Sequence, residues 1–139
     1  MTTKREQYLD TLVALIKGVP DFPALVDRSI ISAFAVEDSD VVVIHRGKEE
    51  PSHGMLGMAD RTCEVLVSVI TRSAVPERQA DALLEMLHPL LIGFAAEGVI
   101  DVTEGVTDAP KFADADGKIC MITTHYFMLY RTSAASLCL

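Results

Sequence analysis

Lys118–Thr132 reads KICMITTHYFMLYRT, and the reading of this stretch decides the fold. Ile119, Met121, Thr123, His125, Phe127 and Leu129 alternate with Cys120, Ile122, Thr124, Tyr126, Met128 and Tyr130. In a strand, successive side chains point to opposite faces, so these sets define two faces, both largely apolar. Such a strand sits at the centre of its sheet or gains its second cover from a partner. Arg61–Arg72, RTCEVLVSVITR, is another long strand, with Cys63, Val65, Val67 and Val69 on one face and Glu64, Leu66, Ser68 and Ile70 on the other. Val41–Arg46, VVVIHR, is short and β-branched, the composition of a buried strand. Strands adjacent in sequence usually pair, so these two predict a hairpin. Val99–Val106 adds a further strand.

The rest of the order follows from helical spacing. Thr3-Lys-Arg-Glu6 has the form of a capping box opening a helix over Lys4–Lys17. Leu9, Leu12, Val13 and Ile16 form its apolar stripe, and Gly18 and Pro20 stop it. Ser73-Ala-Val-Pro76 with Glu77 opens a second helix whose stripe is Ala80, Leu83, Leu84, Leu87, Leu91 and Phe94. Pro89 predicts a break or kink after His88, then a shorter helical turn ending near Gly98, because its ring meets the carbonyl of Glu85. Asp21–Asp40 gives weaker signals: a turn at Pro20–Pro23, a short strand at Val26–Ser29, an aperiodic Ile30–Val36, and a charged turn at Glu37–Asp40. Gly47–Asp60 (GKEEPSHGMLGMAD) and Gly105–Gly117 read as long connections without an element of their own. Structureless loops beyond about 12–15 residues are usually functional or disordered. The expectation is a single α+β domain over residues 1–139. It has a mixed, mostly antiparallel sheet of about four to five strands, with two main helices packed on one face.

Composition bounds the function. A chain of 139 residues, 50% hydrophobic and 23% charged, makes one folded domain and not a disordered segment. Twenty acids against twelve Lys and Arg give a net charge of −8. That balance argues against binding nucleic acid through its phosphates and against anionic membranes. Leu83–Ala96, the greasiest stretch, is interrupted by Glu85, His88 and Pro89 and is too short to span a bilayer. Lys4 and Arg5 lead into Glu6 and Asp10 and not into an apolar run, so no secretory signal is expected. Cys63, Cys120 and Cys138 form no CxxC pair and read as core or tail thiols of a protein folded in a reducing cytoplasm.

Chemical motifs are absent. There is no phosphate-binding loop, no G-x-G-x-x-G and no G-x-S-x-G elbow. His45, His53, His88 and His125 lack metal-ligand spacing. His45 and His125, on strands, could meet Glu64 across the sheet as an acid–base or metal cluster, although strand histidines with ordinary hydrogen bonds are the commoner case. Asp108, Asp114 and Asp116 crowd one loop, and Asp114-Ala-Asp116-Gly117 matches the start of a calcium loop without the remaining ligands. No catalytic, cofactor or metal site is assigned. The feature that stands out is Gly54-Met-Leu-Gly-Met58, since Met re-packs readily against varied partners. Met55, Leu56 and Met58 are therefore candidate interface residues, with Lys48 and His53 beside them. Arg46, Arg61 and Arg72, at strand ends of an acidic protein, suit salt bridges between subunits, against the alternative of exposed pairs worth about 0–1 kcal/mol.

The layout resembles phage minor tail protein U, the tail terminator family of long-tailed phages and prophages. The resemblance covers nearly the whole chain. It rests on the N-terminal amphipathic helix, Val41-Val-Val-Ile-His-Arg-Gly47 with Glu49-Glu-Pro51, and the Arg61–Arg72 strand. Helix Ala80–His88 and the long strand closing on Tyr130-Arg-Thr132 complete it. The resemblance implies a non-enzymatic protein without cofactors. Its members form a ring, usually hexameric, on the end of the tail tube, stopping tube growth and offering a surface to the head–tail connector. The implied partners are further copies of the chain, the tail tube protein and the connector, and the implied place is the virion tail, assembled in the bacterial cytoplasm. Two other classes fit the residues: a small ligand-binding domain or enzyme using His45, Glu64 and His125, and a dimeric adaptor pairing through a sheet edge. On the loop reading, deleting Met55–Met58 should leave the melting temperature nearly unchanged and abolish ring formation, as thermal denaturation and electron microscopy would show.

Overall fold

The computed structural model describes residues 2–35, 39–113 and 116–139. The elements run α1 (Lys4–Lys17), β1 (Leu25–Asp27), α2 (Ile30–Ala35), β2 (Val41–Ser52), β3 (Met58–Arg72), α3 (Pro76–Ile92), β4 (Val99–Thr107), β5 (Lys111–Phe112) and β6 (Ile119–Ser133). They form an α+β domain around one mixed six-stranded sheet ordered β1-β2-β3-β6-β4, with β5 also on β6. β1 lies parallel to β2, and the other pairs are antiparallel.

The strand that decided the sequence reading is central, between β3 and β4. Its register with β3 runs without a break from Met58↔Ser133 to Arg72↔Ile119. The Cys120–Tyr130 face is buried against the two long helices, while the Ile119–Leu129 face is half-buried. α1 contributes Tyr8, Leu9, Leu12 and Ile16 to that core, and α3 contributes Ala80, Leu83, Leu87 and Leu91. α2 covers one end of the opposite face, where Ala33 packs with Val41, Val43 and Ile70.

Several local expectations are corrected. Gly47–Asp60 is not an unstructured connection: β2 continues to Ser52 and β3 begins at Met58, leaving residues 53–57 as the turn. Gly105–Gly117 likewise includes the end of β4 and the short β5. Pro89 does not end α3, which continues to Ile92. The burial of Leu87 and Leu91 on either side offsets the hydrogen bond the ring removes. Thr3 caps α1 by accepting from the Glu6 amide at 3.5 Å, but the Glu6 carboxylate turns outward to Arg28 at 2.8 Å and Arg46 at 2.9 Å. The aperiodic stretch after Arg28 forms α2, and the turn expected at Glu37–Asp40 lies partly outside the described residues.

The hairpin carries a bulge. The β2–β3 register shifts between Arg46 and Glu49, so the extra residue moves Glu49 to the helix-covered face opposite Cys63. Gly47 sits within that bulge against Glu64, and a Cβ there would lie 2.1 Å from a Glu64 carboxylate oxygen. Glu49 then accepts from Tyr130 Oη at 2.6 Å and from the Arg5 guanidinium, with Arg61 Nη1 3.8 Å away. Tyr130 in turn meets the Tyr8 ring edge-on at 5.4 Å. This nearly buried cluster ties α1, β2, β3 and β6 together at the base of the hairpin. Removing one member of a buried ion pair leaves the others uncompensated, at a cost of about 3–5 kcal/mol. Glu49→Ala should therefore lose stability on that scale, read as a lower urea midpoint at unchanged m-value.

Candidate functional site

The hairpin tip is built outward from a fixed base. Gly57 adopts φ +77°, which only glycine takes without strain, and Met58 N closes the turn on Met55 O at 3.1 Å. The Gly57 carbonyl accepts from Ala134 N at 2.9 Å, and Met58 pairs with Ser133. Beyond this anchor Leu56 is fully exposed and Met55 half-exposed. His53 is exposed beside them. Met58 belongs to the ladder and is half-buried, so the deletion suggested by the sequence would cut β3. Met55→Ser with Leu56→Ser isolates the tip.

The cations singled out in the sequence all have partners in their own chain. Arg46 pairs with Glu6 at 2.9 Å, and the exposed Lys48 pairs with Glu50 at 3.2 Å. Arg61 is mostly buried and donates to Thr132 Oγ1 at 3.0 Å. Arg72 donates to the Ser39 carbonyl at 2.9 Å. Sequence reasoning missed Arg28, which staples α1 to β2 through Glu6, Asp10 at 2.9 Å and the Ile44 carbonyl at 2.8 Å.

The histidines divide. The row His45–Leu66–His125 crosses three strands on the face away from α1 and α3. Glu64 does meet His125, at 3.4 Å from Nδ1, and Asp108 meets its Nε2 at 2.9 Å. His45 instead lies 3.0 Å from Ser68 Oγ, which is 2.7 Å from Thr123 Oγ1. Ser68 is fully buried, while His45 is only partly so. Burial, with the nearby Arg28 and His125 charges, lowers the His45 pKa. The hydrogen bond His125 donates to the Asp108 carboxylate, opposed by partial burial and aided by Glu64, raises that of His125. Asp114 lies outside the described residues, and among those described no three His, Cys, Asp or Glu side chains are placed to hold a metal ion. Cys63 and Cys120 are buried free thiols, with burial pushing Cys63 up to about 12.

A surface hollow of about 510 Å³ is lined by Asp108 with Thr107, Pro110 and residues of α3, and two more lie elsewhere. One of about 580 Å³ is bounded by the end of α1, the turn after it, β1 and Val41. Another of about 420 Å³ runs between α3 and β4, lined by Asp81, Glu85, His88 and Glu104 among others. Neither is lined by His45, Glu64 or His125.

No family model matches the chain, and neither does any curated protein. Solved structures do share the fold. One is a chain from the virion of a native gene transfer agent particle, 15% identical, with a TM-score of 0.54 and 91% of each chain covered. At that identity the likeness is one of fold.

The His125 cluster sets a pH dependence. A raised folded-state pKa means that the protonated imidazole stabilises the fold below the unfolded value of about 6.5, and that this contribution disappears as pH rises through the higher folded value. The stability of the wild type relative to His125→Gln should therefore be greatest just below about pH 6.5 and shrink above it, in urea titrations across that range. A difference independent of pH would rule out proton linkage at this cluster.

Proposed function

We propose that this chain is a structural virion protein of the tail terminator kind. Copies form a ring, hexameric as in the family it resembles, on the end of a tail tube. The ring stops tube growth and presents a surface to the head–tail connector. The role is non-enzymatic, and the place is the virion tail after assembly in the host cytoplasm. The observation that carries this reading is the Met55–Leu56 tip: an apolar pair held out by a rigid hairpin has a solvation cost that burial against another chain removes. The fold shared with a chain of a gene transfer agent virion supports a part in a particle. A net charge of −8 keeps free copies apart until a tube end gathers them.

A two-fold adaptor is the second reading, favoured by β4, an edge strand that exposes Ile100 and Val106. Sedimentation separates the two, because an adaptor has a fixed dimer mass.

The deciding experiment is negative-stain microscopy of concentrated protein with and without purified tail tubes. Rings should cap the tubes. The Met55→Ser/Leu56→Ser variant should keep the wild-type melting temperature and form no rings. Tubes left uncapped by the wild-type protein would refute the terminator reading.

A further inference from the structure

We infer that the hairpin tip of one copy seats in the hollow beside α1 and β1 of the next, making a head-to-tail contact between identical chains. The inference rests on the ring reading above and assigns its two surfaces. The tip offers Leu56, fully exposed, with Met55 beside it. The hollow, about 580 Å³, is lined by Phe22, Leu25 and Val41 and by the charged Lys17, Asp21 and Asp27. Leu25 is half-exposed there, an apolar side chain without cover. Asp21 takes φ +56° just before Phe22, turning the chain from α1 towards β1 along the hollow.

Two arguments favour a second copy as the occupant. The first is reach. The hollow borders Val41, the first residue of β2, and the tip follows Ser52, its last. Twelve residues of strand hold them about 35–40 Å apart, so the tip cannot fill its own hollow. A knob and a hole at opposite ends of one rigid strand form a heterologous pair, the kind that closes rings or extends filaments. The second is charge. Residues 53–57 contain no carboxylate, and His53 is their one titratable side chain. Between chains of net charge −8, this segment approaches Asp21 and Asp27 without adding a like charge, while Lys17 lies across the same hollow.

The test uses two variants in a Cys138→Ser background, where the remaining native thiols, Cys63 and Cys120, are buried. Leu56→Cys protein is mixed with Leu25→Cys protein, with and without purified tail tubes, and treated with a short bis-maleimide. Links between the two variants, absent when either is treated alone, are expected. A chain carrying both cysteines should give a ladder ending at the ring mass. Rings seen by microscopy without Leu56–Leu25 links, or with links from Leu56→Cys to the tube protein or to another Leu56→Cys chain, would overturn this contact and leave the ring reading standing. Absence of any ring in wild-type protein would overturn both.

An independent measurement follows from the directionality. Leu56→Asp and Leu25→Asp should each melt as the wild type does and fail to assemble alone. Their mixture should stop at dimers in sedimentation under assembling conditions, because only one sound knob and one sound hole remain in each pair. Rings from either single variant would refute the contact.

Discussion

The β3–β6 ladder is the constraint on which the rest of the molecule depends. Its fifteen-residue register places Cys63, Val65, Val67 and Val69 on the same face as Ile122, Tyr126 and Met128, under α1 and α3. A slip of one residue would turn one strand's share of that set outward, carrying either Glu64 or His125 beneath the helices. The cost of burying those charges and exposing that core makes the register single-valued. Every other strand is then positioned relative to this pair: β2 and beyond it β1 on one side, β4 and β5 on the other.

The ladder also explains how a hairpin this long stays in place. Strand alternation alone would put Glu49 on the half-open face. The bulge after Arg46 brings it instead to Tyr130, Arg5 and Arg61, where the charges are nearly out of water and offset one another, although the buried Arg5 Nε has no hydrogen-bond partner. This is a costly arrangement whose value lies in geometry: it fixes the angle at which β2 and β3 leave the core. On the other face Gly47 gives Glu64 room to reach His125.

The sequence was legible where periodicity was strong. The two-residue alternation of β3 and β6 and the helical stripes of α1 and α3 specify the class, the hairpin and the helix-covered face, because burial rewards those periods directly. It was illegible where tertiary contacts override local rules. The Gly, Pro and Glu residues of GKEEPS disguise the outer half of β2, which exists because β3 and the Glu49 cluster hold it. Pro89 is a breaker in isolation, but Leu91 in the core outweighs it. The approach of Glu64 to His125 was readable from alternation, whereas Asp108, arriving after β4, carries no periodic signal. Arg28 was invisible for the same reason: it joins elements whose spacing in sequence says nothing of their spacing in space.

The short turn at residues 53–57 changes what restrains association. Were the whole of Gly47–Asp60 slack, a copy would have to surrender the conformational freedom of that entire segment on docking, at about 1–2 kcal/mol per residue. The ladder has already immobilised most of it during folding. For copies associating as proposed, the remaining obstacle would be mutual repulsion between acidic chains, and repulsion between exposed charges fades beyond a Debye length of about 8 Å at physiological ionic strength. In the ring proposed above, the threshold between dispersed and gathered subunits would thus be set by the surrounding electrolyte and by local crowding of copies, not by the slowness of a disordered arm finding its shape.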